Sequence, residues 1–392
     1  MFDIEKSFAW KTSLLVDGCQ VSPETTFPTT MASKKIHLYS HSEHKISQTL
    51  PDDLLLPGSI ISRLRYQSNA PNVLEGNIEN GYQVRNTITN EFLPVNLVTQ
   101  PSFAGLKARN IPISTTCSYL GTDLLGITPS NYCFYFQNNK QCKFCEILPT
   151  FKQEVEFPKT FKNLEIIEDS ILTALSSDPQ IKHIAITTGN IHSYDATFDY
   201  FIQVGQRLQN APAFTKVSDV LATLMPPKDL TKIAQLKESG FNKIYFPLEV
   251  FEKNHFEIVC PGKADFGYEN ILEALEYAVD VFGKGNVYTN YVYGIQSLNS
   301  NLDASSYEPR KENDLCIVAV EELIKRHVIP AFTLYHFGGY NSIGKITLSE
   351  DHVHDFFRNW GQIVAESELV PEQKDSVIFS PLSLSNTLYN DG

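Results

Sequence analysis

Three cysteines, Cys133, Cys142 and Cys145, crowd into the run Asn131-Tyr132-Cys133-Phe134-Tyr135-Phe136-Gln137-Asn138-Asn139-Lys140-Gln141-Cys142-Lys143-Phe144-Cys145. Thiolate sulfur is a soft ligand, so three thiolates gathered by one loop suit iron–sulfur or zinc. Three is the informative number. A structural zinc site closes with four protein ligands, whereas three leave one position free for an exogenous group. Cys19, Cys117, Cys260 and Cys316 are scattered, and seven cysteines in 392 residues is an odd count that makes no disulfide framework. In a reducing compartment such a cluster belongs to a metal or catalytic site.

The elements that must position this loop follow it in the chain. From Leu164 onward, Ile167, Ile171, Ala174 and Leu175 fall on one helical face, and Asp178-Pro179 ends that helix. His183-Ile184-Ala185-Ile186-Thr187 reads as a strand closed by Thr188-Gly189-Asn190. A helix at 198–208, an apolar segment at 220–225 and a helix at 230–239 capped by Gly240 come next. Lys243-Ile244-Tyr245-Phe246-Pro247-Leu248-Glu249 reads as a strand that Pro247 weakens, followed by a helix at 268–282 and a strand at 286–293. A helix at 314–326 and a strand at 329–334 repeat the pattern. Strands alternating with helices imply a parallel sheet. No Gly-x-Gly-x-x-Gly follows an early strand, which favours an α/β fold of the full or partial (β/α) TIM-type barrel kind over an open dinucleotide-binding sheet. Chemistry in such barrels sits at the carboxyl ends of the strands.

The first hundred residues differ. Segments such as Val73-Leu74-Glu75-Gly76-Asn77-Ile78 are short, broken by Gly and Asn, and partly alternating. They predict a small β-rich N-terminal extension over 1–105, with the barrel and a C-terminal tail over 106–392. The formal charge of −13 argues against nucleic-acid backbones and anionic membranes as partners. No apolar run approaches the roughly 18–20 residues of a membrane helix. The first residues, Met1-Phe2-Asp3-Ile4-Glu5-Lys6, do not read as a secretory signal. The expectation is a soluble cytoplasmic protein.

The cysteine segment resembles the cluster loop of the radical S-adenosylmethionine (SAM) superfamily. In that superfamily three Cys, spaced Cys-x3-Cys-x2-Cys with an aromatic residue before the last, hold a [4Fe–4S] cluster whose fourth iron binds SAM. Cys142, Phe144 and Cys145 fit, whereas eight residues separate Cys133 from Cys142. Cys117 is an alternative first ligand, reached by a longer loop. Thr188, Gly189 and Asn190 resemble the segment after the second strand that receives the methionine end of SAM. Glu249 resembles the acidic group of biotin-synthase-like members that binds the SAM ribose. Cys260-Pro261-Gly262-Lys263-Ala264 is similar to the same branch, in particular to biotin-synthase-like proteins of nitrilase-associated gene clusters. The resemblance spans 110–344. It implies metal ligands Cys133, Cys142 and Cys145, and SAM-binding residues Phe144, Thr188, Gly189, Asn190 and Glu249. It further implies reductive cleavage of SAM to a 5′-deoxyadenosyl radical that takes hydrogen from a small-molecule substrate. The electron would come from an external donor of flavodoxin or ferredoxin type.

Blander readings stand beside these. The cysteines could form a zinc knob closed by Cys117 or a histidine, in a non-radical barrel that is a hydrolase or a binding protein. A peptide-modifying radical enzyme is a third reading, weakened by the lack of a Cys-rich C-terminal extension. Glu249, if buried, could simply be matched by a structural Lys or Arg. Lys263 reads as a solvated loop lysine, and Cys260 and Cys316 as buried thiols. His37, His41 and His44 share a helical spacing within a polar surface segment, and His336 follows a strand and could face the substrate.

Overall fold

The computed structural model describes residues 4–33, 49–147, 161–191 and 193–367, with Leu369 and Leu384. His37, His41 and His44 lie outside the described residues.

The chain opens with helix α1 (Ile4–Val16) and six short strands: β1 (Cys19–Val21), β2 (Asp53–Leu56), β3 (Ile60–Arg63), β4 (Asn72–Asn77), β5 (Gly81–Asn86) and β6 (Phe92–Leu97). They form one sheet in the order β1-β4-β5-β6-β2-β3, antiparallel except for the β1–β4 pair. Helix α1 is apolar on two faces: Trp10 and Leu14 join the core of this sheet, while Phe8 and Leu15 reach the larger core of the barrel. A two-stranded ribbon of β7 (Lys107–Ala108) and β8 (Ile111–Pro112) leads into the second sheet.

That sheet begins with β9 (Cys117–Leu120), antiparallel to β10 (Leu124–Ile127). Parallel strands follow with a helical crossover between each. Helix α2 (Leu164–Ser177) leads to β11 (His183–Thr187), α3 (Tyr194–Leu208) to β12 (Asp219–Thr223), and α4 (Thr231–Glu238) to β13 (Lys243–Tyr245). Helices α5 (Lys253–Val259), α6 (Pro261–Ala264) and α7 (Tyr268–Phe282) precede β14 (Val287–Tyr293). Helix α8 (Pro309–Lys325) leads to β15 (Ile329–Leu334), and α9 (Glu350–Glu366) packs last. The order runs β9-β10-β11-β12-β13-β14-β15, and β10 to β15 are parallel. Strands β9 and β15 are the two edges of this described sheet, so it is a partial barrel and not a closed one.

The local reasons are ordinary. Asn163 and Ser193 cap α2 and α3 by accepting from the backbone N–H of Glu165 and Ala196. Alternation along the strands then separates two faces. Ile184, Ile186, Val220, Ala222 and Ile244 pack outward against the helices, while Ala185, Leu221, Tyr245, Tyr288 and Ile329 form a separate cluster inside the barrel. By the same period, Thr187, Thr223, Asn290 and Thr333 face inward nearer the carboxyl ends.

Two expectations need correction. Strand β13 stops at Tyr245, two residues before Pro247, and Glu249 rejoins the sheet through a single bridge to Tyr291. What reads from sequence as a C-terminal tail includes α9, a 17-residue helix that buries Phe356, Phe357 and Trp360.

Candidate functional site

The cysteine loop follows β10, the first parallel strand, at its carboxyl end. Its first half is held by the loop after β11. Phe134 N–H donates to the Asn190 carbonyl (2.7 Å), while Gly189 N–H (3.4 Å) and the Thr188 hydroxyl (3.2 Å) both donate to the Ser130 carbonyl. Gly189 is required by space: a Cβ there would lie 2.4 Å from the Tyr132 carbonyl oxygen and 2.9 Å from Cys133 Cβ. The Asn190 side chain is buried and donates to the Tyr135 hydroxyl (3.0 Å), which is 2.6 Å from the Tyr194 hydroxyl. The three residues thus brace the loop that carries Cys133.

The eight residues between Cys133 and Cys142 are accommodated by α6. They include a 3-10 turn at Phe134–Phe136, and the Tyr135 ring occupies the space where Gly262 would carry a side chain (2.4 Å to a built Cβ). Gly262 N–H donates to the Lys140 carbonyl (2.9 Å), and Lys140 pairs with Asp265 (2.6 Å). The second half is tied down by Lys143 N–H donating to the Val259 carbonyl (2.8 Å) and Cys145 N–H to the Cys142 carbonyl (3.0 Å). Phe144 is half-buried against the main core.

The three thiols are electrostatically coupled. Burial pushes Cys133 up to about 11, with Cys142 adding to the rise, and burial likewise raises Cys145, with Cys142 and Cys133 contributing. Cys142 is shifted the other way. A hydrogen bond from Cys260 and the nearby Lys263 charge outweigh its burial and favour the thiolate, the form that binds metal. Cys117 is elsewhere, buried at the start of β9, and burial pushes it up to about 12. Among the described residues, no three His, Cys, Asp or Glu side chains converge on one point as ligands of a single ion. Three thiols carried on one loop, with Cys142 favoured as the thiolate, are donors of the chemistry that an iron–sulfur cluster takes.

Glu249 lies beside the thiols with a left-handed backbone (φ 72°), a conformation disfavoured for a non-glycine residue. Its N–H donates to the Asn290 carbonyl (2.6 Å), its carbonyl accepts from Val292 N–H (3.0 Å), and the Gln296 amide donates to the same carbonyl (3.0 Å). Lys263 Nζ donates to Glu249 Oε1 (2.8 Å) and to the Pro247 carbonyl (2.7 Å), and Asn290 Nδ2 donates to Oε2 (2.9 Å). Lys263 is therefore buried in an ion pair and not solvated. Burial alone would lower its pKa, but Glu249, Cys142 and Cys260 together raise it. Asn290 Oδ1 in turn accepts from the Tyr245 and Thr333 hydroxyls (each 3.1 Å). His336, just past β15, is half-buried.

Sequence reasoning missed Tyr135, Tyr194, Asn290 and the Cys260–Cys142 contact. Only Cys260 carried a signal, its place beside a strand-end loop.

No family model matches the chain. The chain is 24% identical over 246 residues to the bacteriochlorophyllide c C-7(1)-hydroxylase of Chlorobaculum limnaeum, covering 59% of this chain. It spans 57% of the length of that curated relative. Among solved structures, the [FeFe]-hydrogenase maturase HydG from Carboxydothermus hydrogenoformans is similar at a TM-score of 0.46 and 15% identity, covering 68% of this chain and 56% of that one. A radical SAM methyltransferase from Sphaerobacter thermophilus is similar at a TM-score of 0.43 and 10% identity, covering 77% and 76%. The three-cysteine loop follows the first parallel strand of this partial barrel, and Glu249 lies past the end of the fourth, bridged to Tyr291.

Proposed function

We propose that this protein is a radical SAM enzyme acting on a small polar molecule held in the partial barrel. The observation that carries the reading is the union of the three coupled thiols with the Glu249–Lys263 pair at the carboxyl ends of the parallel strands. Cys133, Cys142 and Cys145 would hold a [4Fe–4S] cluster, with Phe144, Thr188, Gly189, Asn190 and Glu249 around SAM. Held by these residues, the cluster and SAM would supply one-electron reductive cleavage and hydrogen abstraction from the substrate.

The chain's own share is to bind, orient and exclude water. Thr188, Gly189 and Asn190 fix the turn that carries Cys133. An ionised carboxylate offers about four lone-pair sites. Lys263 and Asn290 take one on each Glu249 oxygen, and the others would serve ribose hydroxyls. The inward-facing Thr187, Thr223, Asn290 and Thr333 favour a substrate with hydroxyl or amino groups, and Leu221, Tyr288, Ile329 and Leu369 seal the floor below them. An external flavodoxin- or ferredoxin-type donor would supply the electron. The sheet of β1–β6 would form a separate region over 1–105 and the barrel would occupy 106–392, with α1 bridging their cores.

Anaerobic incubation with SAM and a strong reductant tests the reading. The wild type is expected to release 5′-deoxyadenosine and the Cys142→Ala variant none. Equal release by the two, or none by a cluster-loaded wild type, contradicts it.

A further inference from the structure

The residue after the last cysteine is a buried carboxylate. Glu146 Oε1 accepts from the backbone N–H groups of Gly338 (3.0 Å), Tyr340 (3.2 Å) and Asn341 (3.1 Å) and from Asn341 Nδ2 (2.7 Å). Its other oxygen, Oε2, is so close to Gly338 that a Cβ there would lie 2.2 Å away. Buried charge is costly unless it is hydrogen-bonded, and bonds to a carboxylate are about twice as strong as neutral ones. Four donors converging on one oxygen are a built anion seat made by the loop after β15. Asn341 also organises that loop, because its Oδ1 accepts from Ile343 N–H (3.1 Å), Gly344 N–H (3.2 Å) and the Tyr335 hydroxyl (2.9 Å). A second tie lies alongside: Ser342 N–H donates to the Lys143 carbonyl (3.2 Å).

The two loops so joined follow β10 and β15, the first and last parallel strands of a sheet whose edges do not meet. We propose that Glu146 is a positioning residue that closes the mouth of the partial barrel, fixing the Cys142–Cys145 turn and the loop after β15 as one unit. This inference rests on the radical SAM reading of the cysteines for its effect on a cluster. Its structural half, the tie between the two loops, stands on the hydrogen bonds alone. The chemical need is plain: a primary radical must be shielded from water, and an open-edged barrel has no strand pairing to close its mouth.

The test is hydrogen exchange and the electron paramagnetic resonance spectrum of the reduced cluster, on the full chain reconstituted anaerobically. It compares wild type, Glu146→Gln and Gly338→Ala. The glutamine brings a neutral amide against the N–H donors; the alanine Cβ displaces the carboxylate from the opposite loop and serves if Glu146→Gln does not fold. Both variants are expected to exchange the Gly338, Tyr340 and Asn341 amides at least about tenfold faster than wild type and to alter the cluster spectrum. Wild-type exchange at those three amides overturns the proposal, and so does a cluster spectrum superposable on that of wild type. A wild-type chain that takes up no iron and sulfide overturns the cluster reading and with it the positioning role. That failure is visible in the metal analysis and is separate from the exchange result.

Discussion

Two buried ion pairs, one in each sheet region, look alike in isolation. Arg63 meets Asp53 at 2.9 Å with side chains 5% and 3% exposed, and Lys263 meets Glu249 at 2.8 Å with side chains 8% and 12% exposed. Their settings differ. Asp53 and Arg63 are register partners on β2 and β3, close to Lys11 of α1, so the first pair fastens a helix to a sheet. The second sits at the carboxyl end of the parallel sheet, bonded to Asn290 and close enough to Cys142 to favour its thiolate. Burial of charge therefore does not mark a site by itself. A buried cation that acts on a potential metal ligand does.

Breaking each pair in the same way separates them. Lys263→Met and Arg63→Met each remove a cation from a buried carboxylate, and Lys11 remains near Asp53; each is expected to lose up to about 3–5 kcal/mol in urea denaturation, Lys263→Met the more. Only Lys263→Met is expected to lower iron uptake by the folded protein. Equal iron retention in the two variants would erase the distinction.

A matched pair of glycines sharpens it at smaller cost. A Cβ at Gly189 meets the cysteine loop, and one at Gly205 meets the Ser239 carbonyl, each at 2.4 Å. Each Gly→Ala change is expected to cost about 1–3 kcal/mol by overpacking. Iron binding should fall in Gly189→Ala and hold in Gly205→Ala, measured on samples of equal folded fraction.

A last test concerns the structural region alone. Burial lowers the Lys11 pKa from 10.5 to about 7, with Asp53 pulling it partly back. From pH 7 to 10.5 the unfolded chain binds more protons at this site, so its contribution to stability rises with pH; below 7 both states hold the proton and the full penalty of burying it remains. Lys11→Met is therefore expected to stabilise the protein most below neutral pH, the gain shrinking as pH rises. Denaturation midpoints at about pH 6 and about pH 9 check this, and a gain identical at both contradicts it.

The barrel was largely legible because its helices and strands carry clean periods: α7 and β15 fall on the expected residues, and α2 ends before Pro179. The first parallel strand was not. Leu124-Leu125-Gly126-Ile127 is a four-residue apolar run with no alternation, recognisable only once β11 pairs with it. Helix α1 hid because its apolar residues point to two cores and leave no single stripe. Within the site, the cysteines, Gly189 and Glu249 announced themselves by type and position. Lys263 and Glu146 did not, since a charged residue in a loop reads as solvated until distant segments bury it. Glu146 is held by residues 192 to 195 positions away in the sequence, a distance no local pattern reports.

The most direct test of the central claim is iron, acid-labile sulfide and zinc per chain after anaerobic reconstitution, for wild type, Cys133→Ala and Cys117→Ala. The account predicts about four irons with matching sulfide in wild type, retained in Cys117→Ala and lost in Cys133→Ala. One zinc with no sulfide, or loss in the Cys117 variant alone, would contradict it.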